Sequence, residues 1–134
     1  MAALNYWLWL TTRKGVGQRG VLRVLEYFGK PERVYFAQQE DLEMIPGLAP
    51  QAIRGLLDKN MEESKAILGR CDRLGVQIMT IQDADYPERL RQLSDPPAVL
   101  YILGRRIRFD EEAAIGVVGS RKPSAYGQQV APRL

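Results

Sequence analysis

Ala113-Ala114-Ile115-Gly116-Val117-Val118-Gly119-Ser120-Arg121-Lys122-Pro123-Ser124-Ala125-Tyr126-Gly127 decides how the rest of the chain is read. An apolar run of strand length ends at Gly119. Ser120 and the cations Arg121 and Lys122 follow, then Pro123 and Ser124, then a pattern that opens a helix. A strand that passes through a glycine turn into a helix is how open α/β sheets build a phosphate site. The glycine lets a ligand approach the backbone, and the first free N–H groups of the helix face the anion. Ser120 offers a hydroxyl donor, and Arg121 offers a planar fork of donors for phosphate oxygens. Lys122 adds unspecific charge. Gly127 falls inside the expected helix, where it permits close packing. Taken alone, one glycine turn is better explained by strain relief than by phosphate binding.

A second block lies upstream. Asp85-Tyr86-Pro87-Glu88-Arg89-Leu90 is followed by Asp95-Pro96-Pro97-Ala98-Val99-Leu100-Tyr101 and Gly104. Together with Val117 to Gly127, this block resembles the DNA-processing protein family (DprA/Smf), whose signatures read YP..L…DPP..LY..G and VGSR…S.YG. Two ordered blocks at compatible spacing are far more specific than a single glycine motif. The resemblance covers the whole chain and is strongest from Asp85 to Gly127. It implies a Rossmann-like domain that binds single-stranded DNA, with Gly119, Ser120, Arg121, Lys122 and Gly127 at the DNA phosphates. For the family it further implies protection of incoming DNA, loading of the recombinase RecA in natural transformation, and a homodimer at full length.

Composition narrows the chemistry. At 134 residues, 46% hydrophobic and 26% charged, the chain is globular rather than disordered, with room for one or two small domains. A net charge of +3 permits a polyanionic partner without demanding one. Histidine is absent, which removes the usual general base and the commonest metal ligand. Cys71 is the single cysteine, so neither an internal disulfide nor a cysteine-based zinc site can form. No metal and no cofactor are expected, and a reducing cytoplasm is the natural compartment. The apolar start, Met1 to Leu10, precedes its cations instead of following them, which is the wrong order for a secretory signal. No run is long enough to span a membrane.

The remainder divides near Gly75. Leu4, Trp7, Leu8 and Leu10 repeat with helical spacing, and Lys14-Gly15-Val16-Gly17 breaks that first helix. Positions two apart on a helix diverge by about 200°, so Trp7 and Trp9 are not both expected to face the core. Gln18 to Phe28 reads as a helix with Val21, Leu22, Leu25 and Phe28 on one face. Pro31 opens a brief helix through Phe36, Asp41 to Ile45 is one more turn, and Ala49 to Leu57 is the next helix. Met61 to Leu74 is the longest, with Ile67, Leu68, Cys71 and Leu74 as its apolar stripe and Gly75 as a left-handed cap. After Gly75 the period changes to two: Val76 to Ile81 and Ala98 to Leu103 read as strands, with a short helix from Pro87 to Leu93 between them. A third strand runs into Gly119. The fold class is therefore α+β. An all-α helix-hairpin-helix module, sterile-alpha-motif (SAM)-like by the resemblance, spans residues 1–75. The first strands of a truncated Rossmann-like α/β domain occupy 76–134.

Two glycine turns in the helical part are helix-hairpin-helix candidates, a motif that offers backbone N–H groups to a phosphate whatever the base sequence. Lys14, Gly15, Gly17 and Arg19 form the first, with Arg13 and Arg23 nearby and no acid before Glu26. It is read either as a secondary DNA contact or as a solvated basic face. Leu42 to Ala49, carrying Ile45-Pro46-Gly47, matches the motif better. However, Glu40, Asp41 and Glu43 crowd it, and like charge repels phosphate. It is read as structural, with Ile45, Leu48 and Ile53 in the core.

Other groups carry less. Arg105, Arg106 and Arg108 form a basic run that Asp110, Glu111 and Glu112 follow at once, which suits solvated surface. Asp83, Asp85 and Glu88 are best explained by a polar turn, and no nucleophile–base pair is visible. Tyr126 is read as packing, with base stacking as the alternative. The principal function expected is binding of single-stranded DNA rather than catalysis. The alternative is a lysine-decarboxylase-like phosphoribohydrolase acting on nucleoside monophosphates. That family also carries a Gly-Ser turn early in its fold, but it has no helical leader and is marked by a downstream PGGxGTxxE run.

Overall fold

The computed structural model describes residues 2–134 and is α+β. Its helices are α1 (Ala2–Thr11), α2 (Gly17–Phe28), α3 (Pro31–Phe36), α4 (Gln39–Glu43), α5 (Pro50–Leu57) and α6 (Glu62–Leu74). Strand β1 (Gln77–Thr80), helix α7 (Glu88–Arg91), strand β2 (Val99–Ile102), helix α8 (Ala125–Val130) and a 3-10 turn (Ala131–Arg133) follow.

Local chemistry explains the boundaries. Pro31 and Pro50 sit in the first turns of α3 and α5, where a missing N–H costs nothing. Gln38 and Asp41 form a reciprocal cap on α4, with the Gln38 N–H donating to the Asp41 carboxylate at 3.1 Å. Gly75 takes φ 70° and ψ 25° at the end of α6, as its left-handed position requires, and the Val76 N–H closes back onto the Cys71 carbonyl at 2.9 Å.

Helix α1 is the centre of the core. Trp7, Leu8, Trp9 and Leu10 are all buried, which overturns the expectation that one tryptophan faces outward. The reason is environment: α1 is packed by α2, α3, α6 and β2, and a helix apolar all round is stable only when surrounded. Val21, Val24 and Leu25 of α2, Val34, Leu42, Ile45, Ala52 and Leu56 complete the cluster. Leu22 is only half-buried, because Val24 takes the deep position. Ile45 is buried, and Leu48 and Ile53 pack against the same cluster, as the structural reading of the second hairpin requires. On α6, Leu74 is 62% exposed, so the apolar stripe ends at Cys71, and Ser64 is buried in its place. Ser64 tolerates burial because its hydroxyl donates to the Met61 carbonyl at 2.8 Å.

β1 and β2 pair antiparallel, Gln77 opposite Ile102 through Thr80 opposite Val99. The Ile81 N–H donates to the Ala98 carbonyl at 2.8 Å, which extends the ladder by one step. Ala98, Val99 and Ile81 pack on the helical core, so apolar contact continues past Gly75. The apolar run at residues 113–119 is not a strand. It carries no regular structure and Val118 is 96% exposed. A strand needs a neighbour to satisfy its amides, and the only sheet among the described residues is the β1–β2 pair.

Candidate nucleic-acid interface

The turn before α8 is organised by two serines. Ser120 Oγ donates to the Lys122 carbonyl at 3.0 Å. Ser124 is the N-cap of α8, its Oγ accepting from the Gly127 N–H at 3.1 Å. This uses the Gly127 amide internally. Gly119, Ser120, Arg121 and Lys122 are all exposed, and nothing lies within 4 Å of the place a Cβ on Gly119 would occupy. Tyr126 is 76% exposed, which removes the packing role expected for it. The turn is thus an open, doubly cationic loop with a hydroxyl on either side of Pro123.

The first glycine hairpin is placed by its neighbours. Gly15 and Gly17 have φ 80° and 69°, a region that favours glycine. A Cβ on Gly15 would lie 2.9 Å from the Gln51 carbonyl oxygen, so this turn is seated against α5. Lys14 and Arg19 point to solvent, and the Arg19 Nε lies 3.9 Å from Asp95. Arg13 does not belong to a solvated face. Its guanidinium is buried and donates to the Trp9 carbonyl at 2.9 Å and the Asp58 carbonyl at 3.0 Å, closing the ends of α1 and α5 together. Arg23 donates through Nε to the Pro46 carbonyl at 3.0 Å and ties the two hairpins to each other. Residue spacing carried no signal for either role.

The upstream block folds around Tyr86. Its ring is buried, its hydroxyl donates to the Pro97 carbonyl at 2.7 Å, and the Arg91 guanidinium lies 5.2 Å above the ring. Burial pushes the Tyr86 hydroxyl above the ordinary tyrosine value, against the pull of Arg91. The Tyr-Pro and Asp-Pro-Pro halves are thereby one unit, more than a stop and restart of the backbone. Of the basic run, Arg106 pairs with Asp85 at 2.9 Å and Arg108 with Glu111 at 3.1 Å. Asp83 accepts from the Thr80 N–H at 2.8 Å, which is the polar turn expected there.

Asp110 faces the other way. Its carboxylate accepts from the Glu88 N–H at 2.8 Å and the Arg89 N–H at 3.1 Å, at the start of α7. These backbone bonds, Glu88 first, and then the charges of Arg89 and Arg91, hold its pKa below the ordinary carboxylate value. Because the folded-state value is the lower one, the stabilisation is complete above the unfolded value and is lost as pH falls through the folded one. Release of Asp110 from α7 is therefore expected only at a pH below the ordinary carboxylate value. NMR titration of the Glu88 and Arg89 amides checks this, and Asp110→Asn should abolish the dependence.

These two blocks are where known proteins match. The family model for DNA recombination-mediator protein A matches residues 77–134, which include both the Tyr86 unit and the Gly119–Lys122 turn. The chain belongs to this DprA/Smf family. Protein Smf of Synechocystis sp. (strain ATCC 27184 / PCC 6803 / Kazusa) is 30% identical over 128 residues, covering 92% of this chain and 32% of that protein. DNA processing protein DprA of Bacillus subtilis (strain 168) is 31% identical over 83 residues, covering 62% of this chain and 28% of that protein. The chain spans about a third of the length of these curated relatives. No solved structure matches it. Among the described residues, no helix is long and apolar enough to cross a membrane.

Proposed function

We propose that this chain is part of a DNA-processing protein that binds single-stranded DNA without catalysing a reaction. In this reading the Gly119-Ser120-Arg121-Lys122 turn holds backbone phosphates through free N–H groups and two cations, and the Ser120 hydroxyl turns from the Lys122 carbonyl to a phosphate oxygen on binding. Gly127 supports the turn from α8 through its bond to Ser124. Lys14 and Arg19 beside Gly15 and Gly17 add a secondary contact. The observation that carries the reading is the DprA/Smf family match at residues 77–134, which brings an exposed cationic turn under a family of DNA processing. Residues 1–75 act as a helical module of SAM-like type, and residues 76–134 as the opening of a Rossmann-like domain. By analogy with the family, the whole protein protects incoming DNA and loads RecA during transformation, as a homodimer in the cytoplasm. The phosphoribohydrolase alternative gains nothing from the family match.

Arg121→Ala tests it. In a protein that carries this chain, the substitution is expected to weaken binding of labelled oligothymidine and to lower the slope of log affinity against log salt by about 0.7. Fluorescence anisotropy at several salt concentrations reads both. An unchanged slope and affinity would remove the phosphate role of the turn. Binding should be nearly blind to base sequence.

A further inference from the structure

A cleft of about 390 Å³ opens between α2 and the Pro46–Leu48 turn. We propose that it is a subsite for a backbone phosphate of nucleic acid, separate from the turn at residues 119–122. The inference rests on the nucleic-acid reading above, but Arg19 is the only residue it shares with the contacts named there.

Three observations carry it. First, Arg19 and Arg23 stand four residues apart on α2 and both line the cleft. Like charges at this spacing repel each other on a helix surface, and a bound anion relieves that repulsion. Glu26 is the one acid in the lining, and the Asp95 carboxylate lies 3.9 Å from Arg19, so Arg23 is the guanidinium with no carboxylate partner among the described ion pairs. Second, Arg23 is held in place. Its Nε is engaged by the Pro46 carbonyl, and a terminal nitrogen lies so close to Gly47 that a Cβ there would sit 3.2 Å away. A guanidinium fixed through Nε keeps its terminal N–H groups for a ligand and loses less freedom on binding. Third, the cleft is composite. Gly20 lines it from α2, Gly47 from the Pro46–Leu48 turn, and Ser94, whose hydroxyl donates to the Asp95 carboxylate at 3.4 Å, from beyond β1. Ser94 is kept there by its neighbour, because the Gln18 side-chain amide and Arg19 both engage Asp95. A fixed guanidinium with a second, exposed one beside it suits a single phosphodiester group, whose charge is spread over exposed oxygens. The second hairpin, too acidic on its own approach, thus contributes a wall to a site whose charge comes from the first.

The test is titration of the ¹⁵N-labelled chain with oligothymidine, with inorganic phosphate as a parallel arm. The amides of Gly20, Gly47 and Ser94 are expected to shift together with oligothymidine at concentrations where phosphate alone leaves them still. Arg19 has a side chain 85% exposed, so Arg19→Ala keeps the fold and is expected to weaken binding about two- to five-fold at low salt. The Arg19→Ala/Arg23→Ala pair should lower the log–log salt slope by about 0.7, the loss of one phosphate contact. Shifts confined to residues 119–122 would overturn the cleft and leave the proposed function standing. Equal shifts with inorganic phosphate would overturn it in favour of a free anion. If neither region moves and Arg121→Ala is also without effect, both readings fall.

Discussion

Gly55→Ala is expected to destabilise the protein by about 3 kcal/mol, where the same change in an ordinary helix stabilises by up to about 1 kcal/mol. Gly55 lies inside α5, and a Cβ there would sit 2.1 Å from the Lys14 carbonyl oxygen and 3.2 Å from its carbon. Both atoms are backbone, so no side-chain rotation relieves the clash. The Lys14–Gly17 turn and α5 would have to separate, and the Val16 side chain, 3.4 Å from the same point, would lose its seat. Thermal denaturation followed by circular dichroism should show the melting point lowered by about 10 °C. Gly69 supplies the control. It is also helical, in α6, and a Cβ there meets only the end of the Arg73 side chain at 3.5 Å. Gly69→Ala should leave stability equal or raise it. A stabilising Gly55→Ala would mean that the two hairpins do not touch as described.

The second large effect concerns Trp9. Trp9→Ala should cost about 3–5 kcal/mol, the range for emptying a large aromatic site in a core. The indole is fully buried, and its Nε1 donates to the Asp58 carbonyl at 2.8 Å. Its ring meets Tyr35 edge-on at 5.0 Å, and the Lys59 ammonium lies 4.9 Å from its centre. Burial, and then the charge of Arg13, lower the Lys59 pKa, so this cation depends on the two rings and on the Leu56 carbonyl it donates to at 2.7 Å. Trp9→Phe should cost markedly less, about 1–2 kcal/mol. It keeps most of the ring volume, and the Asp58 carbonyl retains its bond from Arg13. Urea denaturation of both variants checks the order. A Phe variant as weak as the Ala variant would show that the indole hydrogen bond, and not the volume, holds this end of α1.

Much of the helical part is legible in single residues, because caps and breakers act locally. Pro31 and Gly75 mark their helix ends from sequence alone, and both do so in the structure. The change of period after Gly75 likewise locates β1 and β2, since half-buried strands alternate. The candidate site is less legible. Ser120 reads from sequence as a phosphate donor, but its hydroxyl donates to the Lys122 carbonyl, Ser124 caps α8, and the apolar run before them forms no strand beside the β1–β2 pair. Hydrophobic period states what a segment can pair with, and not whether a partner is there.

By itself, then, the order of residues placed the helices and the β1–β2 pair, pointed to the family and marked the turn that carries Arg121 and Lys122, while that turn's exposure and the missing third strand came from the structure. Tertiary structure alone decided that both tryptophans are buried and that Arg13 is a buried clasp reaching Asp58 across 45 residues. It also decided that Arg23 is tied to the Pro46 carbonyl and that Gly55 is a point of closest approach. The division has one physical cause. Capping and periodicity are settled within a few residues of chain, whereas burial, ion placement and close packing depend on which distant segments share the same space.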